Sequence, residues 1–452
     1  MYRKNTMDMT KGSVTKQILL FALPIMLGNI LQQLYNIADR VVVGRFAENG
    51  ELGLAAIGAT GSAIFLVVSL FTGMGVGANV LCANLLGARN EKDLRKSMHT
   101  AVLFALICGI FVGTAGVLLT EVILRLLGTP EEVFALAALY MRIYFIGVPV
   151  SLLYNFGASI LNAHGDTKRP MTILMISGLA NVVFNFVFVV IFHRGVDGVA
   201  IATVISQLLS ALMVLKVLFD PKDRYALRLK ELKIYAKQLL AIIRIGVPSG
   251  LGSIVFSFSN VIVQSSVNSF NSAAIIAGRT IASDINNVLY QIENSLAATC
   301  VSFSGQCYGA KEYKRIDKLA LKATMLCLSG FLICAIVCTL FPDGIVGLFN
   351  SNEEVIAVGK MILLINCWGN LLYGPSEIFI GCLRGMRYGV LPTVLNLVGV
   401  CVPRILWVLF VFPMHRTVFT LILCYPISWA ISSALQIVCY CIIRKKMNAT
   451  IK

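Results

Sequence analysis

Charge disappears from this chain for long intervals and returns in short bursts. Ile18 to Ala38, Ala101 to Leu119 and Ala323 to Phe341 contain no charged residue, and a helix that crosses a bilayer needs ~20 mostly apolar residues. A dozen such stretches can be read: one around residue 31, the two centred in 101–119 and 323–341, and others near 67, 147, 182, 209, 257, 292, 370, 402 and 430. The pattern predicts an all-α integral membrane protein with twelve transmembrane helices. Met1 to Lys16 is basic and polar, the apolar run after it is too long for a signal peptide, and no small-residue cleavage site follows, so no cleaved leader is expected.

The pattern also repeats. "LPIMLGNILQQLYNIADRVVVGRF" aligns with "VPSGLGSIVFSFSNVIVQSSVNSF" at a shift of 224, pairing Pro24 with Pro248, Gly28 with Gly252 and Asn36 with Asn260. At a shift of 222, "EEVFALAALYMRIYFIG" aligns with "EEVIAVGKMILLINCWG", "LLGARNEKDLRK" with "CYGAKEYKRIDK", and Pro170 falls on Pro392. Six spans per half is an even number, so both halves enter the membrane from the same side. The expectation is two six-helix lobes related by a parallel pseudo-twofold repeat, 1–220 and 239–452, joined by a linker at 221–238.

Composition agrees with the pattern: 58% of the 452 residues are hydrophobic and 13% charged, against about 25% charged in soluble domains. The net charge of +16 would suit nucleic acid if the bases clustered on a soluble face. Instead about 27 of the 38 Lys and Arg fall in the N-terminus, alternate loops and the C-terminal tail, while the intervening loops hold Arg45, Arg125, Arg194 and Arg416. The positive-inside rule then places both termini in the cytoplasm. The basic balance implies contact with anionic membrane lipid and no nucleic-acid partner. The linker segment "YALRLKELKIYAKQL" interleaves apolar and basic residues, which fits either a helix lying on the cytoplasmic face or a solvated connector.

Thirteen cysteines are scattered along apolar helices, and His99, His164, His193 and His415 stand apart from one another. No metal motif, nucleotide loop or nucleophilic triad is evident, so neither a cofactor nor an enzymatic activity is expected. "GMGVG", Gly73 to Gly77, lies inside a 37-residue uncharged run and reads as a close helix-packing surface.

Charge within the bilayer costs ~2.5–3.5 kcal/mol per residue on insertion scales, which makes intramembrane acids and bases functional candidates. Gln32, Tyr35, Asn36 and Asp39 share one face of the first helix, and Arg40 lies beside them. Asp39 is five residues before Gly44, hence in the outer half of the membrane at ~1.5 Å per residue. Two readings stay open: an ion-coupling carboxylate, or an interfacial Asp39–Arg40 pair that anchors the helix end. Asn181 and Asn185 on the fifth helix, and Thr203 and Gln207 on the sixth, have one-turn spacing and are candidates to line the same cavity. In the second half Asp284, Glu293, Glu377 and Arg404 form a candidate polar site, in which an acid is expected to pair with Arg279 or Arg404.

The ordered motifs "LPIMLGNILQQLYNIADRVVVGR", "LLGARN", "LNAHGDTKRP" and "LRGMRYGVLP" give the chain, over nearly its whole length, a resemblance to the multidrug and toxic compound extrusion (MATE) family of secondary transporters. The resemblance implies two lobes around a cavity that opens alternately to either side, exporting cationic or amphipathic small molecules against inward H+ or Na+. It places Asp39 at the family's ion-coupling carboxylate, with Tyr35, Asn181 and Thr203 at polar positions of the same lobe. The family often has aspartate where this chain has Asn185, and members with a second-lobe Na+ site carry a glutamate on helix seven where this chain reads "IVFSFSN". Neither feature is therefore carried over. A monomer is expected. The competing reading is a lipid-linked saccharide flippase of the same wider superfamily, for which a cavity with several basic groups is expected.

Overall fold

The computed structural model describes residues 6–47, 50–222 and 226–451; the basic residues Arg3, Lys4, Arg224 and Lys452 lie outside them. Among the described residues twelve long helices follow one another: α1 Val14–Phe46, α2 Gly50–Gly87, α3 Glu91–Leu126, α4 Glu131–Ala163, α5 Lys168–Ile191, α6 Val196–Leu218, α7 Ala236–Asn268, α8 Ala273–Gly309, α9 Tyr313–Leu340, α10 Glu353–Gly385, α11 Val390–Val411 and α12 Val418–Ala449. Eleven of them are long and apolar enough to cross a membrane. The exception, α8, has 37 residues and ample length at ~1.5 Å per residue, but it carries Arg279, Asp284 and Glu293 among several amides.

The repeat governs backbone geometry as well as sequence. The starts of α1, α3, α4, α5 and α6 recur 222 positions later in α7, α9, α10, α11 and α12. Helix ends repeat too: after α2 the chain turns on Arg89 (φ 55°) and after α8 on Lys311 (φ 61°), while Gly165 (φ 83°) after α4 is matched by Arg387 (φ 71°) after α10. Each turn closes with a pair of backbone hydrogen bonds, such as Arg89 N to Leu86 O at 3.0 Å and Lys311 N to Tyr308 O at 3.1 Å, which satisfy carbonyls the helix would otherwise leave open. Three of the four left-handed positions are not glycine, so the closed turn outweighs a local cost of ~1–2 kcal/mol.

The chain divides into two compact units, one of Met1–Asp8 and Leu23–Gly250, the other of Met9–Ala22 and Leu251–Lys452. In unit one α4 is central, packing on α2, α3 and α6; in unit two α10 holds the equivalent place against α8, α9 and α12. The segment Met9–Ala22 is tied to unit two by specific bonds. Met9 N donates to Gln306 Oε1 at 3.0 Å, and Arg315 donates to the carbonyls of Met9 and Lys11 and to Gln17 Oε1, all within unit two.

Among the described residues between α6 and α7 the linker has one helical turn, Leu229–Glu231, and the backbone beside it is captured by the start of α3. His99 Nδ1 donates to Arg95 O at 2.7 Å, leaving Nε2 to accept from Arg228 N at 3.0 Å. Thr100 Oγ1 accepts from Tyr235 N at 3.1 Å.

Helix packing uses small residues where backbones meet, as expected where lipid is no less apolar than leucine. A Cβ on Gly77 would strike the Ile242 carbonyl of α7, and one on Gly246 would lie 2.5 Å from Met74 Cα. By contrast Gly58 and Gly61, on the same α2, face open space. Gly77→Val is therefore expected to destabilise the folded protein by ~1–3 kcal/mol, the usual cost of overpacking, seen as a lowered melting temperature in detergent. Gly61→Val should leave that temperature unchanged.

Candidate functional site

The polar stripe of α1 meets α5 and α6 in unit one. Asp39 is half-buried, and its Oδ1 accepts a short hydrogen bond from Asn185 Nδ2. The same amide donates to Asn181 Oδ1 at 3.2 Å, and Asn181 Nδ2 reaches Thr203 Oγ1 at 3.5 Å. Thr203 in turn donates to the Val199 carbonyl at 2.9 Å. A chain of hydrogen bonds among uncharged side chains thus links α6 and α5 to one carboxylate on α1, with Asn185 donating to Asp39 at one end and Asn181 donating to Thr203 at the other. Asn181 and Asn185 are buried, and Asn185 Oδ1 has no hydrogen-bond partner.

Local backbone accounts for this placement. The α-helical part of α5 ends at Asn185, and Phe186–Ile191 continues as a π-helical turn, an irregularity frequent at functional sites because it re-aims the side chains around it. One turn before Asp39, the Tyr35 hydroxyl donates to the Met175 carbonyl at 3.3 Å, and its ring occupies the space that a side chain at Gly178 would fill. One turn after Asp39, Val43 is fully buried in a small cluster with Val189, Val196 and Val199. These contacts on either side hold the orientation of Asp39.

The remaining expected residues divide. Gln32, Asn36 and Arg40 are exposed, and Arg40 makes no salt bridge with Asp39 among the described residues, although it lies within electrostatic reach of the carboxylate. Gln207 lies beside the Tyr144 hydroxyl on α4, a turn away from the Thr203 branch. Tyr144 stacks with Tyr140 at 6.4 Å between centroids, and Tyr140 lies within electrostatic reach of Asp39 and Arg40. This tyrosine pair was not singled out from the sequence; its one-turn spacing beside a charged stripe is the signal that could have found it.

In the candidate polar site of unit two the acids and the buried arginines Arg279 and Arg404 form no salt bridge among the described residues, whereas elsewhere in the unit the buried Arg444 pairs with Asp317 at 2.7 Å. Glu293 on α8 is 1% exposed and in electrostatic reach of Glu377 on α10, which accepts from Tyr373 Oη at 2.7 Å. Asp284 is exposed. The expected pairing of an acid with Arg279 or Arg404 is replaced among the described residues by another arrangement. Arg404, 1% exposed, donates to Ser428 Oγ at 3.0 Å, Ser259 Oγ at 3.3 Å and Asn260 Oδ1 at 2.8 Å. Its guanidinium carbon also lies 5.3, 4.4 and 5.9 Å from the ring centroids of Phe256, Tyr425 and Trp429. Arg279 donates to Ser283 and, at 2.8 Å, to the Tyr425 hydroxyl. Cation–π contacts contribute about 0.5–2 kcal/mol each, enough in combination to offset a large part of the ~2.5–3.5 kcal/mol insertion cost of one arginine.

Known proteins resemble the chain along most of its length. The MatE family model matches residues 24–187 and 248–409, one segment in each half. A probable multidrug resistance protein of Bacillus subtilis, YoeA, is 30% identical, covering 98% of this chain and 97% of its own. The multidrug export protein MepA of Staphylococcus aureus is 26% identical over 84% of this chain and 83% of its own. A solved outward-facing multidrug resistance MATE transporter of the MOP superfamily shares the fold, with a TM-score of 0.91 at 21% identity, covering 99% of this chain and all of that one.

The Asn185–Asp39 bond can be measured in place. Hydrogen bonds to charged groups contribute about 1.5–3 kcal/mol, so a double-mutant cycle of Asn185→Ala and Asp39→Ala, read as unfolding free energies in mixed detergent micelles, should show coupling of about 1–3 kcal/mol. Additive effects would mean that the two side chains do not support each other.

Proposed function

The chain belongs to the MATE family, and from that premise we propose that it is a multidrug efflux transporter that exchanges cationic or amphipathic compounds for H+ or Na+. The observation that carries the reading is Asp39: one carboxylate, half-buried, hydrogen-bonded to a neutral amide, with Arg40 in electrostatic reach but in no salt bridge with it among the described residues. Such a group is free to trade its occupant. It can bind a proton, a sodium ion or the positive charge of a substrate, and only one of these at a time.

Competition at a single group is sufficient for antiport. In our scheme the outward-open form takes up H+ or Na+ at Asp39 and releases the exported compound; the lobes, 1–220 and 239–452 about the 221–238 linker, then rock to the inward-open form, where the ion leaves and a new compound binds. No bond is made or broken. Each ligand shifts the conformational equilibrium only by the difference in its affinity for the two forms. Tyr35, Asn181, Asn185 and Thr203 orient the carboxylate, while Gln32 and Asn36, on the same stripe, offer neutral contacts to a substrate of varied shape. With the basic loops on the cytoplasmic side, both termini are cytoplasmic, and the protein works as a monomer.

Asp39→Asn preserves size and hydrogen bonding but cannot hold a proton or a cation. Cells expressing it at the wild-type level should accumulate ethidium as fast as cells lacking the protein. Export of ethidium against its gradient by this variant would contradict the assignment.

A further inference from the structure

The internal repeat carries the carboxylate site of unit one onto an arginine site in unit two. The starts of α5 and α11, and of α6 and α12, fix the shift at 222. That shift places Val182 on Arg404, Thr203 on Tyr425, Ser206 on Ser428 and Gln207 on Trp429, and the sequence match of α1 with α7 places Asn36 on Asn260. Asn260, Tyr425, Ser428 and Trp429 all touch Arg404. Equivalent helices therefore enclose an acid in one unit and a guanidinium in the other. Arg404 and Asp39 are each seven residues before the end of their helix, about 10 Å in along the axis.

The protein leaves the charge of the second site uncompensated. Arg404 and Arg279 are 1% and 8% exposed, yet Arg404 Nη2 and Arg279 Nε have no hydrogen-bond partner, and no acid pairs with either arginine among the described residues. Both guanidinium carbons lie close to the Tyr425 centroid, at 4.4 and 5.4 Å, so two positive charges flank one ring. Intramembrane arginines nearly always face a partner or a water-filled cavity. An arginine that only joined helices would be served as well by a full set of neutral acceptors. Here the fork is partly spent on hydroxyls, and the free nitrogen is the kind that takes an oxygen of a planar or tetrahedral anion. Two π-helical turns, Leu397–Cys401 and Trp407–Val411, bracket Arg404, an irregularity frequent at functional sites.

We propose that unit two holds an oxyanion-binding site, centred on Arg404 and completed by Arg279, that accepts a carboxylate or phosphate-ester group. It is a site separate from Asp39 and does not depend on the cation reading of unit one. The occupant's charge chemistry is shared by anionic solutes and by anionic lipid headgroups, and the test separates the two.

Trp429, 5.9 Å from the Arg404 guanidinium, reports binding. The purified full chain in neutral detergent is titrated with benzoate and with phenyl phosphate, using benzamide as the uncharged shape control, and tryptophan fluorescence is followed. Expected are a saturable change with at least one anion and none with benzamide, loss of the change in Trp429→Phe, and apparent affinity at least about tenfold weaker in Arg404→Gln and in Arg279→Gln. Arg404→Lys, which keeps the charge and loses the fork, should be intermediate. The titration is repeated in nanodiscs of phosphatidylcholine and of phosphatidylglycerol. Weaker apparent binding in phosphatidylglycerol identifies a lipid headgroup as the occupant, and equal binding identifies a solute. Absence of saturable binding by either anion to wild type, or binding that survives both Arg→Gln substitutions, would overturn the proposal.

Discussion

Hydrocarbon offers a polar group no water, so each charge placed in a membrane helix must find its partners in the protein or wait for a ligand to supply them. This constraint organises the chain. It keeps Lys and Arg in alternate loops, fills helix crossings with glycine so that backbones can meet, and confines charge within the spans to a few positions whose surroundings are correspondingly specific. In unit one the carboxylate of Asp39 receives a neutral amide backed by a second amide and a hydroxyl. In unit two the guanidinium of Arg404 receives hydroxyls, an amide and three aromatic faces. Among the described residues neither charge forms a salt bridge with an opposite one.

An ion pair at either place would be stable and inert. Exchange of one occupant for another needs a group whose attraction to its protein neighbours is moderate, so that a proton, a sodium ion or an organic cation can each displace the other. Driving a two-state equilibrium from one form almost wholly to the other takes about a 10⁴-fold difference in affinity. A charge held only by neutral dipoles leaves that difference to be supplied by the ligand. The exposed side chain of Arg40 fits the same logic: a guanidinium locked onto Asp39 would compete with every cationic occupant.

Much of this was legible in the sequence because hydropathy and repetition are long-range signals. The twelve helix centres and the 222-residue shift follow from them, and the shift returns in the helix starts and in the left-handed turns at Arg89 and Lys311. One-turn spacing made Asn181, Asn185 and Thr203 candidates and the family resemblance placed them in one lobe with Asp39, but that their faces meet is given by the hydrogen bonds between them. Side-chain partners across helices were less accessible. Arg404 was expected to seek an acid, whereas its partners are serines, an asparagine and aromatic rings from α7 and α12, residue types that carry no charge signal. Gln207 shares the face of Thr203 but turns to Tyr144. The linker could be read by composition as a surface helix or as a solvated connector, and the hydrogen bonds of His99 and Thr100 to the backbone of Arg228 and Tyr235, invisible to a hydrophobicity pattern, fix its course along α3.

The central claim is that a single exchangeable carboxylate couples the outward movement of a cation to the inward movement of an ion. It is tested most directly with wild-type protein in proteoliposomes, where H+ and Na+ gradients are imposed separately and the flux of a cationic dye and of each ion is recorded together. The account predicts uphill dye movement under at least one of the two gradients, with that ion moving the opposite way and its flux rising when dye is added. Dye flux that ignores both gradients, or that proceeds without any counter-movement of H+ or Na+, would contradict it.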